Sequence, residues 1–511
     1  MPDQIAIDLG SLLARCVEIT PDRPALTFEG RTTTFGRLGT RVRRLAEGLR
    51  AGGVGRGDRI AYVGVNHPSF LETLFAAASI GAVFVPLNSR LTGPELEYIL
   101  TDAEAHTIIS DAERLPLIDS IRDSCKPRRC VALTDQPPDH GWESYEEVLA
   151  GAAELSALAA PAGDETALVM YTSGTTGRPK GAMLSHQNLF LHHVNALHAL
   201  DVSADDVTLV VAPLFHIGGL NVLTLTTMLK TGHAVLFSGF DAPQALRAIE
   251  HHHVTTMFGV PAMFNFMAQD PAFGATDLSS VRFFVCGGAP VPEVLIRTYA
   301  EREVPFVQAY GLTETAPLAL VLGQDQVARR PGSAGHKQMM LSEVRLKDRD
   351  GNLVPVGEPG EVCIRGPQVM SGYWRDPGAT AAVFDADGFF HSGDVGYEDP
   401  DGFVYLVDRS KDMVISGGEN VYPAEVEAVL YDHPAVAEVA VIGTPHDRWG
   451  EAVTAIVVLR PGHDLALDEL RAFARHRLAG FKLPVRLELV ANLPRTSSGK
   501  VMKFRLKEQF R

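Results

Sequence analysis

The sequence predicts an α/β fold: a large N-terminal part holding two α/β layered regions plus a small β-barrel-like region, followed by a small α+β C-terminal domain. Three observations carry this expectation. Short β-rich apolar runs alternate with helix-like segments over two long stretches. After Ala316 the texture changes to short strands punctuated by Gly, Pro and Asp. Beyond Ser410 comes a strand and helix pattern of about a hundred residues, an ordinary domain size. These changes divide the chain into units 1–410 and 411–511.

In the first region, RIAYVGV (Arg59 to Val65) and AVFVPL (Ala82 to Leu87) read as strands separated by the helix-like Phe70 to Ile80. Ala150 to Asp164, rich in Ala, Gly and Pro, is a connector entering the apolar run ALVMYT, a buried strand. Between Leu209 and Gly311 the runs TLVVAPL, HAVLF, TTMFGV, VRFFVCGG and VPFVQAYG repeat the alternation. EVRLKD, GEVCIRG and GFVYLVDR then suggest antiparallel pairing. The C-terminal unit reads strand, helix, strand, strand, helix, strand, with AEVEAVLYDH and LDELRAFARHRL as its helices.

The 511 residues, 46% hydrophobic and 21% charged, suit a folded chain with a large core. A formal charge of −16 excludes a general nucleic-acid surface, so any anion must be held by local basic groups. The five cysteines are scattered, odd in number and without a CxxC pair, as expected of reduced thiols in a cytoplasmic protein. The start has no basic segment leading into an apolar one. The longest apolar stretch, Phe75 to Leu87, is too short for a bilayer, so no transmembrane segment is expected. A homodimer is left open.

The strongest local signal is YTSGTTGRPKGAM, Tyr171 to Met183. Glycines let a backbone approach a polyphosphate, hydroxyls and amides donate to it, and a lysine adds charge. Thr172, Ser173, Gly174, Thr175, Thr176, Gly177 and Lys180 are therefore candidates for binding ATP phosphates. The run is not a P-loop, because Pro179 and not Gly precedes Lys180.

TSGTTGRPKG resembles the signature loop of the adenylate-forming superfamily, in its acyl-CoA synthetase branch. CGGAP (Cys286 to Pro290), QAYGLTET (Gln308 to Thr315), HSGD (His391 to Asp394), VDRSKDMVISGGENVYPAEVE (Val407 to Glu427) and PRTSSGKVMK (Pro494 to Lys503) follow in the family's order. The resemblance implies an enzyme that turns a carboxylic acid, ATP and CoA into acyl-CoA, AMP and pyrophosphate through an acyl-adenylate. It assigns ATP binding to Gly288, Ala289, Pro290, Tyr310, Gly311, Asp394 and Arg409, with Asp394 gripping the ribose. Tyr310 offers a ring to stack on the base, Thr313 a hydroxyl, and Glu314 a hard oxygen suited to Mg2+.

Lys500 is the implied adenylation residue, an ammonium placed where charge develops on the phosphates. The C-terminal domain is implied to be mobile and to rotate between the half-reactions about a hinge at Lys411. CoA falls to Gly417, Gly418, Trp449 and Lys482, with Gly450 and Glu451 in the same segment as Trp449.

For the acid, the resemblance implies a pocket at His216, Gly218, Gly219 and Val260. MFGVPAMFNFM, Met257 to Met267, suits a wall around an apolar tail. Phe215 and His216 stand where amino-acid-activating relatives carry an Asp, and no Arg in these segments would receive a second carboxylate. The leading expectation is a medium- or long-chain fatty acid. An aryl or cyclic acid, or a luciferase-like enzyme with another acyl acceptor, is the alternative.

Overall fold

The computed structural model describes residues 7–138, 141–172, 179–409, 412, 414–416, 419–446, 449–496 and 499–510. Expected strands and helices form where apolar periodicity is strongest. Arg59–Val63 and Val83–Leu87 are neighbouring parallel strands. The helix between them, Pro68–Ser79, starts on a proline and is buried from Ser69 to Ser79. Polar caps set several helix starts: Asp8 accepts from the Ser11 amide, Thr34 from Arg37, and Ser185 exchanges bonds with Asn188 in a capping box.

Among the described residues the strands form four sheets. Two have eight strands each, parallel in the middle; one is closed by antiparallel strands at both edges, the other at one edge only. Their membership does not follow sequence blocks. Pro24–Phe28 pairs in parallel with His233–Leu236 and so joins the sheet of the second region. Thr166–Thr172, Lys180–Ser185 and the short Gly372–Tyr373 complete the sheet of the first. Each α/β layer is thus stitched from distant parts of the chain.

The third sheet is antiparallel and five-stranded, and contains Glu343–Lys347, Gly360–Arg365, Phe390–Glu398 and Phe403–Arg409, as the texture after Ala316 predicts. The largest core joins all three through Phe35, Tyr62, Phe70, Phe84, Leu168, Leu320, Ile364 and Val404.

The C-terminal unit has its own core around Val426, Leu430, Val441, Val453 and Leu470. It opens on two three-residue strands, Val414–Ser416 and Glu419–Val421, and closes on a helix, Lys503–Gln509, where the sequence predicted one strand at the start and no final helix. Elements of this length carry too few apolar residues to show a period: the final helix buries Leu506 alone. No helix among the described residues is long and apolar enough to cross a membrane.

Candidate active site

One cavity of about 130 Å³ lies where Lys500 of the C-terminal unit meets the eight-stranded sheet of the second region. Its wall brings together residues that are far apart in sequence: His216, Gly218, Gly219, Val260, Gly288, Tyr310, Gly311, Thr313 and Lys500. A Cβ placed on Gly288 would sit 3.4 Å from Val260 Cγ1 and 3.8 Å from Lys500 Cε, and one on Gly499 would lie 3.0 Å from Val260 Cγ2. The loop carrying Lys500 is therefore seated directly against Val260 and Gly288.

His216 shares this wall with Lys500. Burial pushes its imidazole down to about 4, and the positive charges of Lys500 and Arg90 act in the same direction. The ring is neutral at physiological pH, so it adds shape and polarity to the cavity wall without adding charge.

The floor of the cavity is unusual backbone. Gly218–Thr224 is a single π-helical stretch, a form concentrated at functional sites. Its wider turn leaves carbonyls to be met from behind: His192 Nε2 lies 3.1 Å from Asn221 O, and Asn221 Nδ2 donates to Ala316 O at 2.6 Å. This buried bracket ties the π-helical floor of the cavity to the end of the 3-10 turn Thr313–Thr315. The sequence carries no sign of it beyond the Gly218–Gly219 pair.

Glu314 is 8% exposed and held on three sides. Tyr373 Oη donates to its Oε1 at 3.0 Å, Thr172 Oγ1 lies 3.4 Å from the same oxygen, and its carbonyl accepts from the Met370 amide at 2.8 Å. Burial and then the Glu314 carboxylate raise the Tyr373 phenol, which keeps it a donor. Lys180 Nζ lies 5.3 Å from the Tyr373 ring centroid. Thr172, Glu314, Tyr373 and Lys180 thus form one polar cluster; Tyr373 was not singled out in the sequence, because a lone Tyr in SGYW has no local signature.

Tyr310 and Asp394 meet at the other end, with the phenol donating to Oδ2 at 2.7 Å. Arg409 closes its strand opposite Asp394 in the antiparallel register. Ser173, Gly174, Thr175, Thr176, Gly177, Lys411, Gly417 and Gly418 lie outside the described residues. Thr172 and Lys180, which bracket the phosphate-loop candidate, are cross-strand partners, so that segment joins two antiparallel strands.

Four described candidates belong neither to the cavity wall nor to the groups around Glu314 and Asp394. Ala289 and Pro290 follow Gly288 on the exposed side of the turn. Lys482 Nζ is bound to both oxygens of Glu425 at 2.6 and 2.7 Å, and Trp449 stacks on His446 with ring centroids 4.4 Å apart. In this arrangement the C-terminal unit presents Lys500 to the cavity and keeps Lys482 and Trp449 elsewhere.

The methionine-rich stretch is the end of strand Thr256–Gly259 and the start of helix Pro261–Gln269, and its side chains divide between cavity, core and surface. Phe258, Val260 and Met263 line the cavity, Met257, Phe264 and Met267 are fully buried core, and Phe266 is exposed.

The chain matches the family model "AMP-binding enzyme" over residues 13–374 and "AMP-binding enzyme C-terminal domain" over residues 425–500. It is 46% identical to a feruloyl-CoA synthase of Amycolatopsis sp, over 98% of this chain and 99% of the relative. It is 38% identical to the long-chain-fatty-acid–CoA ligase FadD13 of Mycobacterium tuberculosis, over 93% of each. The crystal structure of the anthranilate CoA ligase AuaEII in complex with anthranoyl-AMP superposes with a TM-score of 0.94 at 27% identity, over 100% of this chain and 98% of that one. With both family models matched along one chain and full-length relatives at this identity, the protein belongs to the AMP-binding enzyme family and is an AMP-forming acid–thiol ligase of its acyl- and aryl-CoA ligase branch.

Proposed function

We propose that the protein joins an aromatic carboxylic acid, of the aryl-alkenoic or aryl-acetic kind, to CoA at the expense of ATP. The observation that carries this reading is the aromatic and apolar lining of the cavity beside Gly218. Gly218 faces the Phe258 ring so closely that a Cβ would lie 2.7 Å from its Cζ, and Val222, Val260, Met263 and Leu318 close the remaining sides. A wall made of the Phe258 ring and short apolar side chains suits stacking on an aromatic acid. Of the two acid classes that the sequence left open, the aryl class is favoured. The names of relatives point both ways: feruloyl-CoA synthase at 46% identity, FadD13 at 38%.

In this reading the acid carboxylate attacks the α-phosphorus of ATP and pyrophosphate leaves. Lys500, at the cavity wall, meets the charge that builds on the phosphates; a donor already in place when charge develops stabilises the transition state without the cost of reorganising water. Asp394 accepts the vicinal ribose hydroxyls and the Tyr310 ring meets the base. The oxygen set of Glu314 and Thr172 fits a hard divalent ion, because the carboxylate is buried, hydroxyl-lined and beside the phosphate loop. Mg2+ held there would neutralise the phosphates. The thiol of CoA then attacks the acyl carbon and AMP leaves. Lys500 must withdraw first, so rotation of the C-terminal unit would exchange it for the segment of Trp449 and Lys482.

The test is AMP release with Mg-ATP, with and without CoA, across ferulate, cinnamate, benzoate, indoleacetate, malonate and straight-chain acids from acetate to palmitate. CoA-dependent turnover highest on an aryl acid is expected. Preference for palmitate would restore the fatty-acid reading, and AMP release indifferent to CoA would point to another acyl acceptor.

A further inference from the structure

We propose that Glu361 is a positioning residue for the ribose end of ATP, its carboxylate holding the turn that aims Asp394. This rests on the reading of Asp394 as the ribose acceptor. Strands Gly360–Arg365 and Phe390–Glu398 pair in an interrupted register: Cys363 faces His391, but Glu361 already faces Val395. Two residue steps on one side therefore span four on the other, so Ser392 to Asp394 bulge out of the ladder. Bulges beside active sites re-aim a side chain, at the cost of losing ladder bonds that must be replaced.

The replacements come from the neighbouring strand. Glu361 Oε1 accepts from the Gly393 amide at 2.9 Å, and Oε2 pairs with His391 Nδ1 at 2.8 Å. Ser392 Oγ donates to Val362 O at 2.6 Å and accepts from the Asp394 amide at 3.1 Å. Gly393 has φ +72° and a Cβ there would meet nothing within 4 Å, so no side-chain packing holds the turn at that residue. The far side of His391 is braced as well: its Nε2 lies 3.5 Å from Asp385 Oδ2, and Asp385 also accepts from the Phe389 amide at 2.9 Å and pairs with Lys347. One carboxylate thus reaches two of the three residues before Asp394.

Cys363 adds a sulfur to this group, and the ligand atoms of Glu361, Cys363 and His391 lie within 4.8 Å of one another. That trio has metal-binding chemistry, yet burial and then Glu361 push the Cys363 thiol up to about 12, and both Glu361 oxygens are already engaged by the turn. The arrangement serves the bulge.

The experiment compares KM for ATP and 3′-deoxy-ATP in the full-length enzyme. The wild type should prefer ATP and Asp394→Asn should lose that preference; a wild type that does not discriminate would sink the ribose reading and this inference with it. Given discrimination, Glu361→Ala should raise KM for ATP about tenfold and bring the two nucleotides together, with kcat and the acid KM within about twofold. In the Asp394→Asn background it should change the ratio no further, because both act through one group. Should the alanine variant fail to fold, Glu361→Asp keeps the charge but cannot span both partners, and should narrow the ratio about threefold. An unchanged ratio in the folded variant, or an undiminished effect in the Asp394→Asn background, overturns the proposal.

Discussion

The Tyr310 phenol donates to Asp394 Oδ2 at 2.7 Å, and this bond ties an eight-stranded α/β sheet to the five-stranded antiparallel sheet. Asp394 is 8% exposed, so the donor stabilises a carboxylate that water reaches poorly. Tyr310→Phe should destabilise the fold by about 1–3 kcal/mol and raise KM for ATP with little change in kcat. Chemical denaturation beside ATP saturation curves measures both. An unaltered KM would show that the bond serves only packing.

Lys500 occupies the cavity wall beside Gly288 and Val260. Lys500→Ala should slow acyl-adenylate formation about 100- to 1000-fold while leaving the fold intact. CoA-dependent consumption of a preformed acyl-adenylate should be nearly normal, since in the proposed mechanism Lys500 serves only the first half-reaction. Lys500→Arg should not restore the rate, because the guanidinium is a planar fork and not a compact point charge. Pyrophosphate release and single-turnover thioester formation separate the steps.

Gly218 and Gly219 should respond differently to alanine. At Gly218 the methyl would meet the Phe258 ring at 2.7 Å, so the ring lining the cavity must shift. Gly218→Ala should therefore raise KM for aryl acids about tenfold and spare acetate and propionate, since overpacking is felt by the ligand that fills the space. At Gly219 the methyl would lie 2.4 Å from Pro213 O, a backbone atom that cannot turn aside. Gly219→Ala should lower Tm whichever acid is present. Acid-specificity profiles and thermal melts distinguish the two.

Acid should destabilise the protein through its buried histidines. His192 is 0% exposed, and burial holds it down to about 4, with its bond to Asn221 O opposing. In the unfolded chain the ring takes a proton near pH 6.5, while the folded ring stays neutral until about pH 4. The stability is fully present above pH 6.5 and is lost as pH falls toward 4, by about 3 kcal/mol for this residue. His192→Gln should flatten the dependence of unfolding free energy on pH over that window. An equal slope in the variant would assign the acid sensitivity to other groups.

Much of the site was legible in the sequence because its chemistry is local. Tyr171 to Met183, Gln308 to Thr315, His391 to Asp394 and the loop before Lys500 are each contiguous. In each, residue type alone suggests what the backbone can approach or donate to. Alternating apolar runs likewise identified strands such as Arg59–Val63 and Val83–Leu87 and the buried helix Pro68–Ser79, since one face of a strand or helix must leave water.

What the sequence could not reveal is who meets whom. A strand's period says that it is half or wholly buried and is silent about its neighbour, so nothing in Pro24–Phe28 announced its pairing with His233–Leu236. The meeting of Thr172, Glu314 and Tyr373, the bulge that Glu361 holds before Asp394, and the seating of Lys500 against Gly288 and Val260 were decided only by the folded chain. By itself the sequence determined the chemical groups and their local loops. Their distances follow from burying several shared cores at once, a condition that involves the whole chain and is written in no single segment.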